Sequence, residues 1–340
     1  MNVLVNGWYG RGNAGDELMA QALRSLFEPR GVNLKFVDFI DDTLLDECDG
    51  VIFGGGCILQ DAPNVNDVTF ETLTSCRKPC FYVGIGTETS VHESHRSLIN
   101  VAQMIITRSS IDQRPDWFPC DHRVSWVEDL VHSLRPFQGK VGSRNEILVI
   151  PNVEVLPTWQ EPHWKHVAWE RYKDEFAQFL DCTIEERGMK PAFMLMCNNE
   201  KMSDDWVMHE IVGRMKNRST KFETYHLQGG QCNATYATGV IKEHKHVITQ
   251  RYHGIILAQM TETPFTTVHH HDKLKHCFPN RGQSVPYYGF SKALMIEAIE
   301  RSRVPVQFNV EEISKRVRDI YDRLVEDIVG IILKQKGTHA

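Results

Sequence analysis

The chain has 340 residues, a formal charge of −6, and 41% hydrophobic against 24% charged residues, the balance of a soluble globular protein long enough for two domains. The acidic balance, with no Lys/Arg run, argues against nucleic acid as a partner. No apolar run approaches the roughly 20 residues that span a bilayer, and the opening MNVLVNGWYG lacks the basic and long apolar regions of a signal peptide, so a cytoplasmic protein is expected.

Residues 2–6 (NVLVN) form a short β-rich run, and the stretch behind it, GWYGRGNAGDE, puts Gly10, Gly12 and Gly15 at G-x-G-x-x-G spacing. Such glycines let a strand turn into a helix whose free N–H groups face a pyrophosphate. Leu18, Ala22 and Leu26, with Met19 and Leu23, predict that helix over 16–27, ended by Pro29 and Gly31. A strand over 34–39 delivers Asp38 where a dinucleotide site places its ribose-binding carboxylate. Two details oppose a nicotinamide site. Gly7, Trp8 and Tyr9 lengthen the loop before the first glycine of the spacing, and Asp16 and Glu17 would compete with pyrophosphate for the helix N–H groups. The dehydrogenase reading therefore ranks last.

Apolar runs at 51–53, 80–83, 104–106 and 124–127 read as buried strands of a parallel sheet, and a polar, glycine-containing stretch at 138–145 reads as a linker. A second series has strands over 147–150, 192–196, 222–225, 247–248 and 265–268, with helices over 164–180 and 206–215. Ile313, Val317, Ile320, Leu324, Ile328 and Ile331 recur at helical spacing behind an Asn309/Glu312 capping box and predict one long amphipathic helix. The expectation is α/β, two doubly wound domains over 1–141 and 142–340, the second ending in that helix, with a cleft between them.

Ligands in such sheets bind outside the carboxyl ends of the strands, which directs attention to residues just after them. Gly54, Gly55 and Gly56 follow 51–53 and could offer backbone N–H groups to an anion, with Asp61 closing the loop, or serve as a flexible turn. Gly84-Ile85-Gly86 repeats the arrangement, and Arg108 at the end of 104–107 offers a fork for a carboxylate or phosphate, or sits on the solvated surface. Arg251 and His253, in QRYHGIILA, enter a helix over 254–260, where an imidazole can exchange a proton near neutral pH beside a guanidinium.

No metal is expected. The nine cysteines are scattered and odd in number, the Cys76/Cys80 pair has no second pair, and in the cluster His269-His270-His271 with His276 adjacent histidines point to opposite faces of a strand.

Taken together, G-x-x-G-x-G-N-x-G-D-E behind a strand, G-G-G, G-I-G, an R-S at a strand end and R-Y-H-G-I-x-x-A resemble the polysaccharide pyruvyl transferases over residues 3 to about 275. Asn13-Ala14-Gly15-Asp16-Glu17 and Arg251-Tyr252-His253 are the specific parts. The resemblance implies two Rossmann-like domains in a GT-B-like arrangement and transfer of a pyruvate ketal from phosphoenolpyruvate to two hydroxyls of a sugar, with no cofactor beyond that co-substrate. It implies roles for Asp16, Arg108, Arg251 and His253 in phosphoenolpyruvate binding or catalysis. Beside these, Asn13, Gly15 and the triple glycine are substrate-binding candidates, His253 the acid and Asp16 the base. The family often has Ser where this chain has Gln250, and residues 155–245 carry no assigned motif, which leaves the acceptor open: nucleotide-linked, finished glycan, or lipid-linked with peripheral membrane contact. Oligomeric state is open as well. The alternatives are a GT-B-type glycosyltransferase using a nucleotide sugar and a non-catalytic glycan-binding member.

Overall fold

A computed structural model of the chain describes residues 1–56, 58–60, 62–75, 77–87, 91–108, 116–119, 121–140, 144–158, 160–199, 202–229, 232–269, 274, 284–302 and 309–338. The chain divides into two compact units, Met1–Arg11, Asp16–Leu134 and Glu311–Ala340 in the first, Gly12–Gly15 and Arg135–Val310 in the second.

The first unit alternates strands and helices: β1 (Asn2–Asn6), α1 (Ala14–Phe27), β2 (Asn33–Val37), α2 (Asp42–Glu47), β3 (Gly50–Gly56), α3 (Asp67–Thr74), β4 (Cys80–Ile85), α4 (Glu93–Val101), β5 (Met104–Thr107) and β6 (Val124–Trp126). The sheet runs β2-β1-β3-β4-β5-β6, with every pair parallel. Every residue of β3 and β4 is buried, as expected of parallel strands covered on both faces. The short helices that hydrophobic period does not reveal start at side-chain caps: Asp41 accepts from Leu44 N, and Asn66 from Thr69 N.

The second unit holds β7 (Arg144–Ile150), α5 (His163–Glu185), β8 (Lys190–Leu195), α6 (Asp204–Val212), β9 (Thr224–His226), α7 (Ala234–Glu243), β10 (His244–Thr249), α8 (Tyr252–Met260), β11 (Phe265–His269), β12 (Ser284–Pro286) and α9 (Lys292–Ser302). Its parallel order, β12-β11-β10-β7-β8-β9, is that of a dinucleotide-type Rossmann sheet. Its core includes Trp169, Tyr172 and Phe176 of α5, Phe193 of β8, and Tyr287 and Phe290 behind β12.

The last helix, α10 (Val310–Thr338), corrects the expected boundaries of 1–141 and 142–340, because from Glu311 onward it belongs to the first unit. Within that unit Arg30 Nη2 pairs with Asp322 Oδ1 at 2.9 Å, Arg316 with Glu128, and Arg318 Nε donates to Ser133 O at 3.3 Å. The buried stripe is Val317, Tyr321, Val325, Ile328 and Ile332. It is rotated from the predicted one, because Ile313, Ile320, Leu324 and Ile331 lie half-buried at its flanks. The second unit begins at Arg135, ahead of the polar stretch expected to link the domains. Among the described residues, no helix is long and apolar enough to cross a membrane.

Candidate functional site

In a doubly wound sheet the binding crevice lies where successive connections depart in opposite directions. That point falls between β1 and β3 in the first unit and between β7 and β10 in the second.

In the first unit, Gly54–Gly56 are the buried end of β3 rather than a loop behind it. Gly55 and Gly56 have φ of 83° and 72°, a region that other residues enter at a cost. A Cβ on Gly55 would lie 2.6 Å from the Tyr9 hydroxyl, and one on Gly56 would lie 3.3 Å from Asp16 Oδ1. The glycines therefore make room for the chain's own Tyr9 and Asp16. Burial, then Asp16 and Glu17, push the Tyr9 hydroxyl well above its ordinary pKa. Glu17 Oε1 accepts from Gly10 N at 2.5 Å, so a carboxylate engages an N–H of the glycine loop, as the dinucleotide reading cannot allow. Asp61 lies outside the described residues.

Arg108 follows β5, and its backbone N–H donates to Ile85 O at 2.9 Å. Of its two readings, the solvated surface residue is corrected by burial: Nη1 pairs with Asp129 Oδ2 at 3.1 Å, the two side chains being 4% and 0% exposed. Asp129 also accepts from Val131 N at 2.9 Å and so caps the turn behind it.

In the second unit, the two halves of the motif meet. Asn13 bridges Cys197 in antiparallel fashion, Ala14 N donates to Met196 O at 2.7 Å, and Asn198 N donates to Gly12 O at 3.0 Å. The Gly12–Gly15 segment is thereby strapped to the chain leaving β8, and Asn13 Oδ1 accepts from Gly15 N at 3.2 Å. A Cβ on Gly15 would come within 2.9 Å of His253 Cε1 and 3.1 Å of Cγ, and closer still to Nδ1. Gly15 and the half-buried His253 are immediate neighbours.

Arg251 precedes α8 and is buried. Its Nε donates to Asp204 Oδ2 at 3.2 Å and to Pro151 O at 3.4 Å, while Nη2 pairs with Asp204 Oδ1. Burial opposes the charged guanidinium, but Asp204 outweighs it and holds the Arg251 pKa above the ordinary arginine value. Asp204 also accepts from Val153 N, Met196 N and Cys197 N at 2.9, 3.1 and 2.9 Å. One carboxylate thus gathers the chain leaving β7, β8 and β10. Asn152 completes the join: its N–H donates to Gln250 Oε1 at 3.2 Å, and Gln250 N donates to Ile150 O at 2.9 Å.

Asp204 and Asn152 carry no motif. Asp204 sits behind the cap Ser203 and reads in sequence as an ordinary acidic first turn. His269 ends β11 with Nδ1 2.5 Å from Ser284 Oγ, whereas His270, His271, His276 and Cys76 lie outside the described residues. Among the described residues, no group of three metal-ligating side chains comes together.

A family model described as polysaccharide pyruvyl transferase matches residues 13–272. No curated protein sequence matches the chain. Among solved structures, the UDP-bound MnaA of S. aureus superposes with a TM-score of 0.59 at 9% identity, covering 98% of this chain and 97% of that one. The UDP-GlcNAc 2-epimerase of Neisseria meningitidis gives 0.58 at 11% identity over 97% and 100%. The spinosyn rhamnosyltransferase SpnG gives 0.53 at 8% over 96% and 100%. At these identities the likeness shows the fold alone: two Rossmann-like α/β domains of the GT-B class, as expected.

Proposed function

This chain belongs to the polysaccharide pyruvyl transferase family, and on that footing we propose that it transfers pyruvate as a ketal from phosphoenolpyruvate to two hydroxyls of a sugar, releasing phosphate. The observation that carries the reading is the meeting, within one unit, of Asn13 and Gly15 with Arg251 and His253.

In this proposal the C2–C3 π pair of phosphoenolpyruvate takes a proton from His253. The cation developing at C2 accepts a sugar hydroxyl, whose proton passes to Asp16, the carboxylate we assign as base. The C2–O bond to phosphate then breaks with its electron pair leaving on phosphate, and a second hydroxyl adds at C2 and loses its proton to close the ketal. With Nε and Nη2 of Arg251 engaged by Asp204, Nη1 is the nitrogen we assign to the substrate anion. We assign Asn13 and Gly15 to the same substrate site. Arg108, implied by the family resemblance, and Gly54–Gly56, proposed from their place behind a strand, first serve the packing of their own unit.

The test is incubation with phosphoenolpyruvate and glycosides of galactose, mannose and N-acetylhexosamine, following phosphate release and ketal mass. His253→Gln should abolish turnover with the fold intact. No product with any acceptor, together with thermal stabilisation by UDP and none by phosphoenolpyruvate, would replace this reading with nucleotide-sugar transfer.

A further inference from the structure

Exposed aromatic rings of the second unit collect on segments that leave the carboxyl edge of its sheet. Trp164, 55% exposed, lies in the first turn of α5, which follows β7, and Tyr288, 49% exposed, lies just beyond β12. Their ring centroids are 5.2 Å apart with the planes inclined at 58°. The pair stands on a rigid base. Tyr288 packs edge-on against the buried Tyr287 at 5.0 Å, and Tyr287 lies 4.9 Å from Tyr172, which meets Phe290 at 4.9 Å. The Tyr287 hydroxyl donates to Val155 O at 3.3 Å. Val155 shares a single turn, Val153–Val155, with the residue whose N–H donates to Asp204, so one short stretch of chain supports both the aromatic pair and the Arg251 anchor.

Two features of the pair select its ligand. The Lys165 ammonium, held by Glu161 at 2.6 Å, is 5.9 Å from the Trp164 ring centre, the outer limit of a cation–π contact. At that distance the ammonium lies over the ring without closing it off, and Trp164 stays 55% exposed. A flat ring face with donors and acceptors at its perimeter complements a pyranose, whose C–H face is apolar and whose hydroxyls radiate from its edge. The edge of the sheet on which the pair stands is also the one at which doubly wound folds receive ligands.

We propose that Trp164 and Tyr288 form a saccharide-stacking subsite that holds a ring of the acceptor other than the one receiving pyruvate. The identity of that ligand as the acceptor rests on the pyruvyl-transfer reading; the binding of a sugar ring does not. Two arms separate them. In the first, the protein without phosphoenolpyruvate is titrated with hexose and N-acetylhexosamine oligomers, from monosaccharide to hexasaccharide, while the Trp164 indole N–H signal is followed. Affinity rises with chain length, the Trp164 signal shifts, and Trp164→Ala or Tyr288→Ala weakens binding about threefold to tenfold, whereas Trp164→Phe retains most of it. In the second, the alanine variants raise KM for the oligosaccharide acceptor by a similar factor and leave kcat with a monosaccharide glycoside unchanged.

Equal binding of the whole series by wild type and both alanine variants overturns the subsite, as does binding of none of it. So does sedimentation showing that Trp164→Ala dissociates a wild-type dimer, which would make the pair a self-association surface. Length-dependent binding lost in the variants, without phosphate release from phosphoenolpyruvate, keeps the subsite and removes the reaction. Turnover that is indifferent to both variants does the reverse.

Discussion

Gly15 and His253, far apart in the sequence, are packed so closely that a single methyl group on Gly15 would collide with the imidazole. The requirement for glycine there comes from the histidine. Gly15→Ala should therefore cost about 1–3 kcal/mol of stability, the usual effect of overpacking, and displace the ring enough to abolish most turnover. Because the strain is between these two residues, Gly15→Ala in a His253→Ala background should cost much less. A double-mutant cycle by urea unfolding measures the difference, and additive losses would show that the crowding lies elsewhere.

How much of this was legible beforehand follows from where the physics is local. Strands buried on both faces leave apolar runs, so the members of both sheets were found, save the three-residue β12, whose Ser-Val-Pro carries one apolar position inward. Helices α2 and α3 begin at Asp41 and Asn66 but are too short for a helical period to show. The triple glycine was visible and its cause was not, because the rings and carboxylate that need the space, Tyr9 and Asp16, arrive from another part of the chain. Arg251 and His253 stood out as a motif, yet Asp204, which fixes Arg251, looks like any acid at a helix start until the fold brings three strand ends onto it.

Asp204 supplies the second prediction. Asp204→Asn removes the charge facing a buried guanidinium and leaves Arg251 uncompensated, which costs about 3–5 kcal/mol when a buried pair is broken from one side. The amide cannot accept in both directions, so at least one of the N–H groups of Val153, Met196 and Cys197 also loses its partner. Urea titration reads the loss. A change under about 1 kcal/mol would mean that Arg251 has another anion to turn to.

The Arg108–Asp129 pair of the first unit tests a different balance. Arg108→Met strands Asp129, at 0% exposure, and should destabilise by about 3–5 kcal/mol. Tyr321 of α10 lies in the field of both charges, and its hydroxyl is buried with no hydrogen-bond partner among the described residues. Tyr321→Phe removes that uncompensated polar group and should raise stability by up to about 1 kcal/mol. A loss larger than that, by thermal or chemical unfolding, would show that the hydroxyl makes a bond worth keeping.

Acid sensitivity should originate partly at His95. Its Nδ1 lies 2.8 Å from the Tyr82 hydroxyl in the core of the first unit, and burial first, then the neighbouring His92, push its pKa down to about 4 from 6.5. The sign follows from proton binding. Above pH 6.5 the ring is neutral in both states and contributes no pH dependence. As the pH falls from 6.5 towards 4 the unfolded chain takes up a proton that the folded one refuses, so stability drops by about 1.4 kcal/mol per unit, about 3 kcal/mol in all. His244, also lowered by burial, adds to the slope with the same sign. His95→Gln keeps a polar partner for Tyr82 but cannot titrate, so its unfolding free energy should decline less steeply between pH 6.5 and 4. If the two slopes coincide, the His95 proton is not what the folded state excludes.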